Sequence, residues 1–226
     1  MKAVIIVPAF NESAIIYKVL RSLPKNVKGV TSLEVLVIND GSTDSTVKEA
    51  QKVDIKVLTH LTNRGLGAAI KTGLTWAKLN NMDIAITFDS DGQHDARDLY
   101  KLINPLLVER ADLVIGSRFK SKQGVPTDRK ILNWLANVAT FLIFGVRSTD
   151  SQSGLRAFSK KAINVIDFKG ERMDFSSEIL HEAKMNNLII KEVPIKAIYT
   201  DYSRKKGQKN INAVPIMLRF LVRFVR

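Results

Sequence analysis

The sequence predicts an α/β protein with a mostly parallel central sheet and helices on both faces. Three observations carry that expectation. Short apolar runs rich in β-branched residues, at 3–9, 33–38, 55–58 and 84–88, alternate with stretches of helical period. Strands spaced this way are joined by crossovers, which makes neighbouring strands parallel and leaves both sheet faces to be covered. The 226-residue chain is 45% hydrophobic, enough for a sizeable core in one large or one-and-a-half domains.

The first run ends in Pro8-Ala9-Phe10-Asn11-Glu12-Ser13, after which Ile15, Ile16, Val19, Leu20 and Leu23 recur at helical spacing. The second turns through Asn39-Asp40-Gly41-Ser42-Thr43-Asp44 into a helix over about 45–53. The third leads to Asn63-Arg64-Gly65-Leu66-Gly67 and a helix reaching about Asn80. Neither the dinucleotide fingerprint nor a P-loop is present: Ile70 stands where the fingerprint wants a third glycine or alanine, and no G-x-x-x-x-G-K-[ST] occurs. A close backbone approach at a helix N-terminus remains, serving either an anionic ligand or tight helix–strand packing.

The fourth run opens into Asp89-Ser90-Asp91-Gly92-Gln93-His94-Asp95. Two carboxylates thus leave a strand at the rim where open α/β sheets bind ligands. A turn there could aim the oxygens of Asp89, Asp91 and Gln93 at one hard divalent ion that also bridges to a diphosphate. Taken alone, the same residues also read as an acidic loop capping a helix that starts near Asp95, since D-x-D is common by chance.

In the second half, a strand at 112–117 ends in Gly116-Ser117-Arg118-Phe119 and is followed by a polar loop, 120–128, expected to be mobile. An apolar helix at 129–145 places Asn133 and Asn137 on one face, a packed polar contact rather than a catalytic pair. Then come a polar stretch, 149–158, headed by Asp150, a helix at 176–187, a strand at 188–199 and a basic loop at 199–209. Residues 214–226 plot as a helix with Arg219, Arg223 and Arg226 in one stripe and apolar residues around the remainder, suited to a membrane interface or to docking on protein.

Composition narrows the function. The chain contains no cysteine, which excludes disulfides and cysteine-based zinc sites or nucleophiles and fits a reducing compartment. Neither a signal peptide nor a membrane span is expected, so the protein is placed in the cytoplasm or peripherally on the membrane's cytoplasmic face. Of the net charge of +13, residues 1–110 (14 Lys+Arg, 12 Asp+Glu) supply +2 and residues 111–226 (21 and 10) supply +11. The basic second half suits a polyanion, either nucleic acid or an anionic membrane surface. No helix-turn-helix, zinc or RNP signature appears, so nucleic acid is not the expected partner. A sugar nucleotidylyltransferase would open with a glycine-rich, arginine-bearing turn where Pro8-Ala9-Phe10-Asn11-Glu12 stands.

Six of these motifs in register, from Pro8-Ala9-Phe10-Asn11-Glu12 to Ser153-Gly154-Leu155-Arg156-Ala157-Phe158, resemble family 2 glycosyltransferases, within them the dolichyl-phosphate mannose synthase and dolichyl-phosphate glucosyltransferase group. The resemblance implies a GT-A fold over 1–210, with a Rossmann-like nucleotide-sugar and metal half (1–110), an acceptor half (111–210), and a basic amphipathic segment (211–226). By position it implies that Pro8, Ala9, Asn11, Glu12, Asp40, Gly67, Asp89 and Asp91 line the nucleotide-sugar site. Asp89, Asp91 and Gln93 would hold Mg2+ or Mn2+. Arg118, Arg129 and Arg204 would grip the phosphate of a polyprenyl acceptor, guanidinium being suited to bidentate phosphate contact. Asp91, Arg118 and Asp150 are the catalytic candidates, Asp150 either as a base for a hydroxyl acceptor or as the group that orients an arginine. The implied reaction is inverting, with GDP-mannose the first choice of donor and UDP-glucose or UDP-N-acetylglucosamine the alternative. Some relatives carry C-terminal membrane helices; here peripheral binding, a membrane-protein partner or a homo-oligomer would take their place.

Overall fold

The computed structural model describes residues 1–121, 125–170 and 175–198. Seven strands form one sheet in the order β3-β2-β1-β4-β6-β5-β7. At its centre β1 (Lys2–Ala9) pairs in parallel with β2 (Ser32–Asn39) on one side and β4 (Ile84–Thr87) on the other. Beyond β2 lies β3 (Lys56–Thr59), also parallel. Strand β5 (Leu113–Ser117) pairs in parallel with β7 (Ile190–Pro194). Between β4 and β5 sits β6 (Arg156–Ser159), antiparallel to both.

Every residue of β1 after Lys2 is buried, because successive side chains enter opposite layers. Val4 and Ile6 join Leu36, Ile38 and Ala85 under α3 (Leu66–Leu79), α6 (Lys160–Val165) and α7 (Phe175–Met185). Ala3, Ile5 and Val7 join Val37, Ile84 and Ile86 under α1 (Ile16–Ser22), α2 (Thr46–Ala50) and α4 (Leu99–Val108). Helix α3 comes so close that a Cβ on Gly73 would lie 2.3 Å from Cγ2 of Ile6. Helix α5 (Thr127–Phe144) packs against α7, with Thr140 bonding Ser177.

The expected parallel sheet is present, with one strand reversed. The stretch 149–158, read from sequence as polar, runs into β6 at Arg156, and the short α6 follows that strand directly. Strand β7 is shorter than the expected 188–199. The start of a helix near Asp95 is confirmed: its carboxylate accepts from the backbone N–H of Arg97, capping a 3-10 turn (Ala96–Asp98) that runs into α4. Arg204, the basic loop at 199–209 and the helix expected at 214–226 lie outside the described residues.

Sheet order reverses at β1. Moving from β1 toward β2 and β3 follows the chain one way, and toward β4 the other, so the crevice beyond the C-terminal ends of β1 and β4 is the place for a ligand. Because β6 runs backwards, its beginning reaches that same rim.

Candidate active site

Two loops at the β1 and β2 ends are laced together. Asn11, held in the left-handed region at φ 53°, donates its N–H to Oγ of Ser42 and accepts the Thr43 N–H at 2.8 Å. Buried Glu12 donates its N–H to Oγ1 of Thr46. Ser90 Oγ donates to the Pro8 carbonyl at 2.7 Å, and the Asp40 N–H to the Ala9 carbonyl, tying both neighbours to the β1 rim.

Asp40 is almost fully buried and is met by three donors. The N–H groups of Arg64 (3.0 Å) and Gly65 (2.7 Å) share it with Nδ1 of His60 (2.7 Å), whose Nε2 faces Thr72 Oγ1. Gly65 takes φ 106°, a value open to glycine, and starts α3, with Gly67 buried in its first turn. The glycine turn is thus fixed by a carboxylate from the neighbouring strand, which accounts for its close packing.

At the β4 rim, Oδ2 of Asp89 meets Nε2 of buried His94 at 2.8 Å. A Cβ on Gly154 would lie 2.2 Å from that same oxygen, so the Ser153-Gly154 turn needs a glycine to pass Asp89. Desolvation alone would raise the Asp89 carboxyl, yet the hydrogen bond and charge of His94, with Arg118 and Arg156 nearby, hold it below its ordinary value. Asp91 is the opposite case. Desolvation, then the charge of Asp89 and, more weakly, Glu12, push its carboxyl up to about 6. The Gln93 backbone N–H and side-chain amide donate to its two oxygens, at 2.9 and 2.7 Å. In this arrangement Gln93 orients Asp91; to serve as a ligand its amide would turn.

Across the crevice, at the end of β5, Arg118 pairs with the fully buried Asp150. Its Nε and one Nη donate at 2.8 Å to the two carboxylate oxygens, and its backbone N–H adds a third bond. This fork geometry fixes the guanidinium plane. The loop carrying Asp150 is itself anchored. Asn133 and Asn137 of α5 both donate to the Thr149 carbonyl, the packed polar contact expected of them. Glu192 of β7 accepts from the Ser148 hydroxyl and from the N–H and hydroxyl of Thr149. Burial opposes ionisation of Glu192, but those hydrogen bonds and Lys120 hold its carboxyl below the ordinary range.

Two participants were not singled out from sequence, His94 and Arg156. Arg156 is 1% exposed and donates to the backbone carbonyls of Ser153, Ser176 and Ser151. Burial pulls its guanidinium down to about 10 against the charges of Asp150 and Asp89. Both residues lie inside motifs that were read, but nothing in spacing distinguishes a buried arginine from a solvated one. Arg129 stands half-exposed on the first turn of α5.

The donor set fits a hard divalent ion. Burial first, and then the charges of Asp89 and Glu12, raise the Asp91 carboxyl against the opposing charge of His94, a conflict that a cation would relieve, and the groups around it offer oxygen. Among the described residues no cluster of three or more His, Cys, Asp or Glu is placed to hold a metal ion. One or two carboxylates completed by substrate phosphates is the mode Mg2+ favours.

The sheet order and its rim define an α/β protein of the GT-A fold. The chain belongs to glycosyl transferase family 2, whose family model matches residues 4–167, and it is accordingly a glycosyltransferase. It is 35% identical to a UDP-N-acetylglucosamine–dolichyl-phosphate N-acetylglucosaminyltransferase of Methanococcus voltae, over 96% of this chain and 94% of that protein. An undecaprenyl-phosphate mannosyltransferase of Micrococcus luteus is 28% identical over 91% of this chain and 87% of its own length. The crystal structure of Mycobacterium tuberculosis glucosyl-3-phosphoglycerate synthase with Mn2+, uridine diphosphate and phosphoglyceric acid has a TM-score of 0.68 at 20% identity, covering 97% of this chain and 78% of that one. That likeness is one of fold.

Proposed function

We propose that this enzyme moves a hexose, with inversion, from a nucleotide-sugar to a polyprenyl phosphate, using Mg2+ or Mn2+ at Asp91. The observation that carries the reading is the division of the rim. Carboxylates Glu12, Asp89 and Asp91 gather on the β1–β4 side, and Arg118, oriented by Asp150, faces them from β5. The names of the two lipid-phosphate transferases similar to this chain support the acceptor class.

In this reading Pro8, Ala9, Asn11, Glu12, Asp40 and Gly67 line the nucleoside side and Asp89 and Asp91 the diphosphate side. The ion, when bound, supplies charge neutralisation for the departing nucleoside diphosphate. A polyprenyl phosphate is ionised at neutral pH, so its oxygen needs positioning more than deprotonation. Arg118, with Arg129 and Arg204, would grip it, and Asp150 fixes the Arg118 plane rather than accepting a proton. Residues 1–110 then serve the donor and 111–210 the acceptor, and 211–226 lie at the cytoplasmic membrane surface. For the donor, N-acetylglucosamine from UDP follows the relative of higher identity. Mannose from GDP, the expectation from sequence resemblance, is the second reading, favoured by the mannosyltransferase.

The test is transfer from labelled UDP-N-acetylglucosamine, UDP-glucose and GDP-mannose to a short polyprenyl phosphate, with Mn2+, Mg2+ or chelator. Lipid-linked product from one donor, lost with chelator, is expected. Metal-dependent donor hydrolysis without lipid product would refute the acceptor and return Asp150 as a base for a hydroxyl group.

A further inference from the structure

The Arg118–Asp150 pair is backed by a third ionised group that the proposed chemistry does not use. Glu192 lies in the middle of β7 with its side chain 12% exposed. Its Oε1 accepts the Ser148 hydroxyl at 2.7 Å and the Thr149 N–H at 2.8 Å. Its Oε2 accepts the Thr149 hydroxyl at 2.6 Å, with Lys120 Nζ 3.5 Å away. Hydrogen bonds hold this carboxyl below its ordinary range, so at neutral pH it is ionised and can only accept. That fixes the direction of each hydroxyl in front of it. On the Oε1 side, the Asp150 N–H donates to Ser148 Oγ, whose own proton goes to Glu192. On the Oε2 side, Thr149 gives its proton to Glu192, so Ser117 is the donor in the 2.7 Å bond between the Ser117 and Thr149 hydroxyls. The Ser117 oxygen in turn accepts the Lys120 N–H. One oxygen of Glu192 therefore holds the residue that carries the buried carboxylate, and the other holds the chain on either side of Arg118.

We infer that Glu192 is a positioning residue, which acts through Ser148 and Thr149 to hold the Arg118–Asp150 pair at a set place across the crevice from Asp91. The course of the chain after β7 gives the place its reference. The Ile195 N–H donates to the Ser117 carbonyl at 3.1 Å, and the Lys196 N–H to Oδ2 of buried Asp98 at 2.7 Å. Ala197 then bridges to His94, and the Ile198 N–H donates to the Gln93 carbonyl at 2.9 Å. Gln93 is the residue whose two N–H groups hold Asp91. The segment 192–198 thus grips the arginine side with a carboxylate and the carboxylate side with its backbone. Extended chain of fixed length, bonded at both ends, makes a spacer between the two. An unclamped guanidinium would have to be ordered by each incoming acceptor at a cost in affinity, whereas a clamped one is preorganised. That benefit rests on the phosphate acceptor proposed above; the clamping of Arg118 does not.

The Arg118 Nε–H supplies a readout that needs no substrate. Its proton–nitrogen NMR resonance, assigned by its loss in Arg118→Lys, should exchange slowly with water in the parent, because Nε donates to Asp150 at 2.8 Å. Glu192→Gln puts an amide donor where a second acceptor is required, and Thr149→Val removes the hydroxyl chain with little change of shape. Either should quicken that exchange about tenfold while the near-ultraviolet circular dichroism stays that of the parent. With a short polyprenyl phosphate, both should raise the acceptor KM about tenfold and hold kcat and the donor KM within about twofold. Adding Glu192→Gln to Asp150→Asn should raise KM no further, since the two act through one pair. Unchanged exchange in both variants would overturn the inference, as would additive effects in the double variant. If no polyprenyl phosphate accepts sugar while the exchange quickens, the proposed acceptor fails and the clamp stands.

Discussion

Asp91 is held in conflict with its surroundings, and that conflict makes the metal reading testable by pH. Its carboxyl stands at about 6 instead of 3.8, so between those values the native protein keeps a proton that the unfolded chain has released. Stability from this group therefore falls as pH rises from about 4 to about 6, and the penalty is complete above 6. Asp89 opposes the effect only at the low end: its carboxyl is depressed, so once the pH is well above the ordinary value of 3.8 it is ionised in both states. The melting temperature of Asp91→Asn minus that of the parent should grow by a few degrees across the window. Saturating Mn2+ with a nucleoside diphosphate should restore the parent and not the variant; an equal response in both would remove Asp91 from the metal site. Asp150 allows a second test. If it positions Arg118, Asp150→Asn should raise the acceptor KM about tenfold or more and leave donor hydrolysis and the pH profile of kcat unchanged. Loss of the acidic limb of that profile would make it a base.

At the scale of elements, β6 is where the chain departs from a simple alternation. Arg156 begins the strand fully enclosed, and its guanidinium serves the carbonyls of Ser151 and Ser153 in the turn before β6 and of Ser176 in α7. Arg156→Met would strand those carbonyls and remove the buried counter-charge near Asp150 and Asp89, a loss of about 3–5 kcal/mol by analogy with broken buried ion pairs. The urea midpoint measures it, and Arg156→Lys should recover little, because an ammonium cannot reach three separated acceptors in one plane. A change under about 1 kcal/mol would show that the carbonyls find other partners. The same residue explains what sequence could not disclose. Strands β1, β2, β4 and β5 are apolar runs long enough to announce themselves, and the carboxylates at their ends follow from the rim rule. Strand β6 is four residues, Arg-Ala-Phe-Ser, opening with a charge, and α6 is a six-residue helix beginning Lys-Lys. Neither carries a readable period. His94 was hidden for a related reason: only the folded turn aims its Nε2 at Asp89.

For the whole molecule, that inserted strand decides how the two halves depend on each other. One edge of β4 pairs with β1 and the other with β6, which is made after residue 150, and β6 is also the only strand joining β4 to β5 among the described residues. The layer above Val4 and Ile6 is completed by Phe158, Ala162, Ile179 and Leu180, all supplied by the second half. A fragment of residues 1–110 would keep the donor motifs but leave the Ile84–Thr87 edge open and that layer exposed, the combination that leads to aggregation rather than folding. The full chain should therefore unfold in one calorimetric transition whose enthalpy equals its van't Hoff value, and nucleoside diphosphate with Mn2+ should raise that single transition as a unit. The 1–110 fragment should lack near-ultraviolet circular dichroism and show no ligand-induced stabilisation. Two resolved transitions, or a fragment that melts cooperatively, would mean that the donor half folds alone and that β6 only decorates its edge.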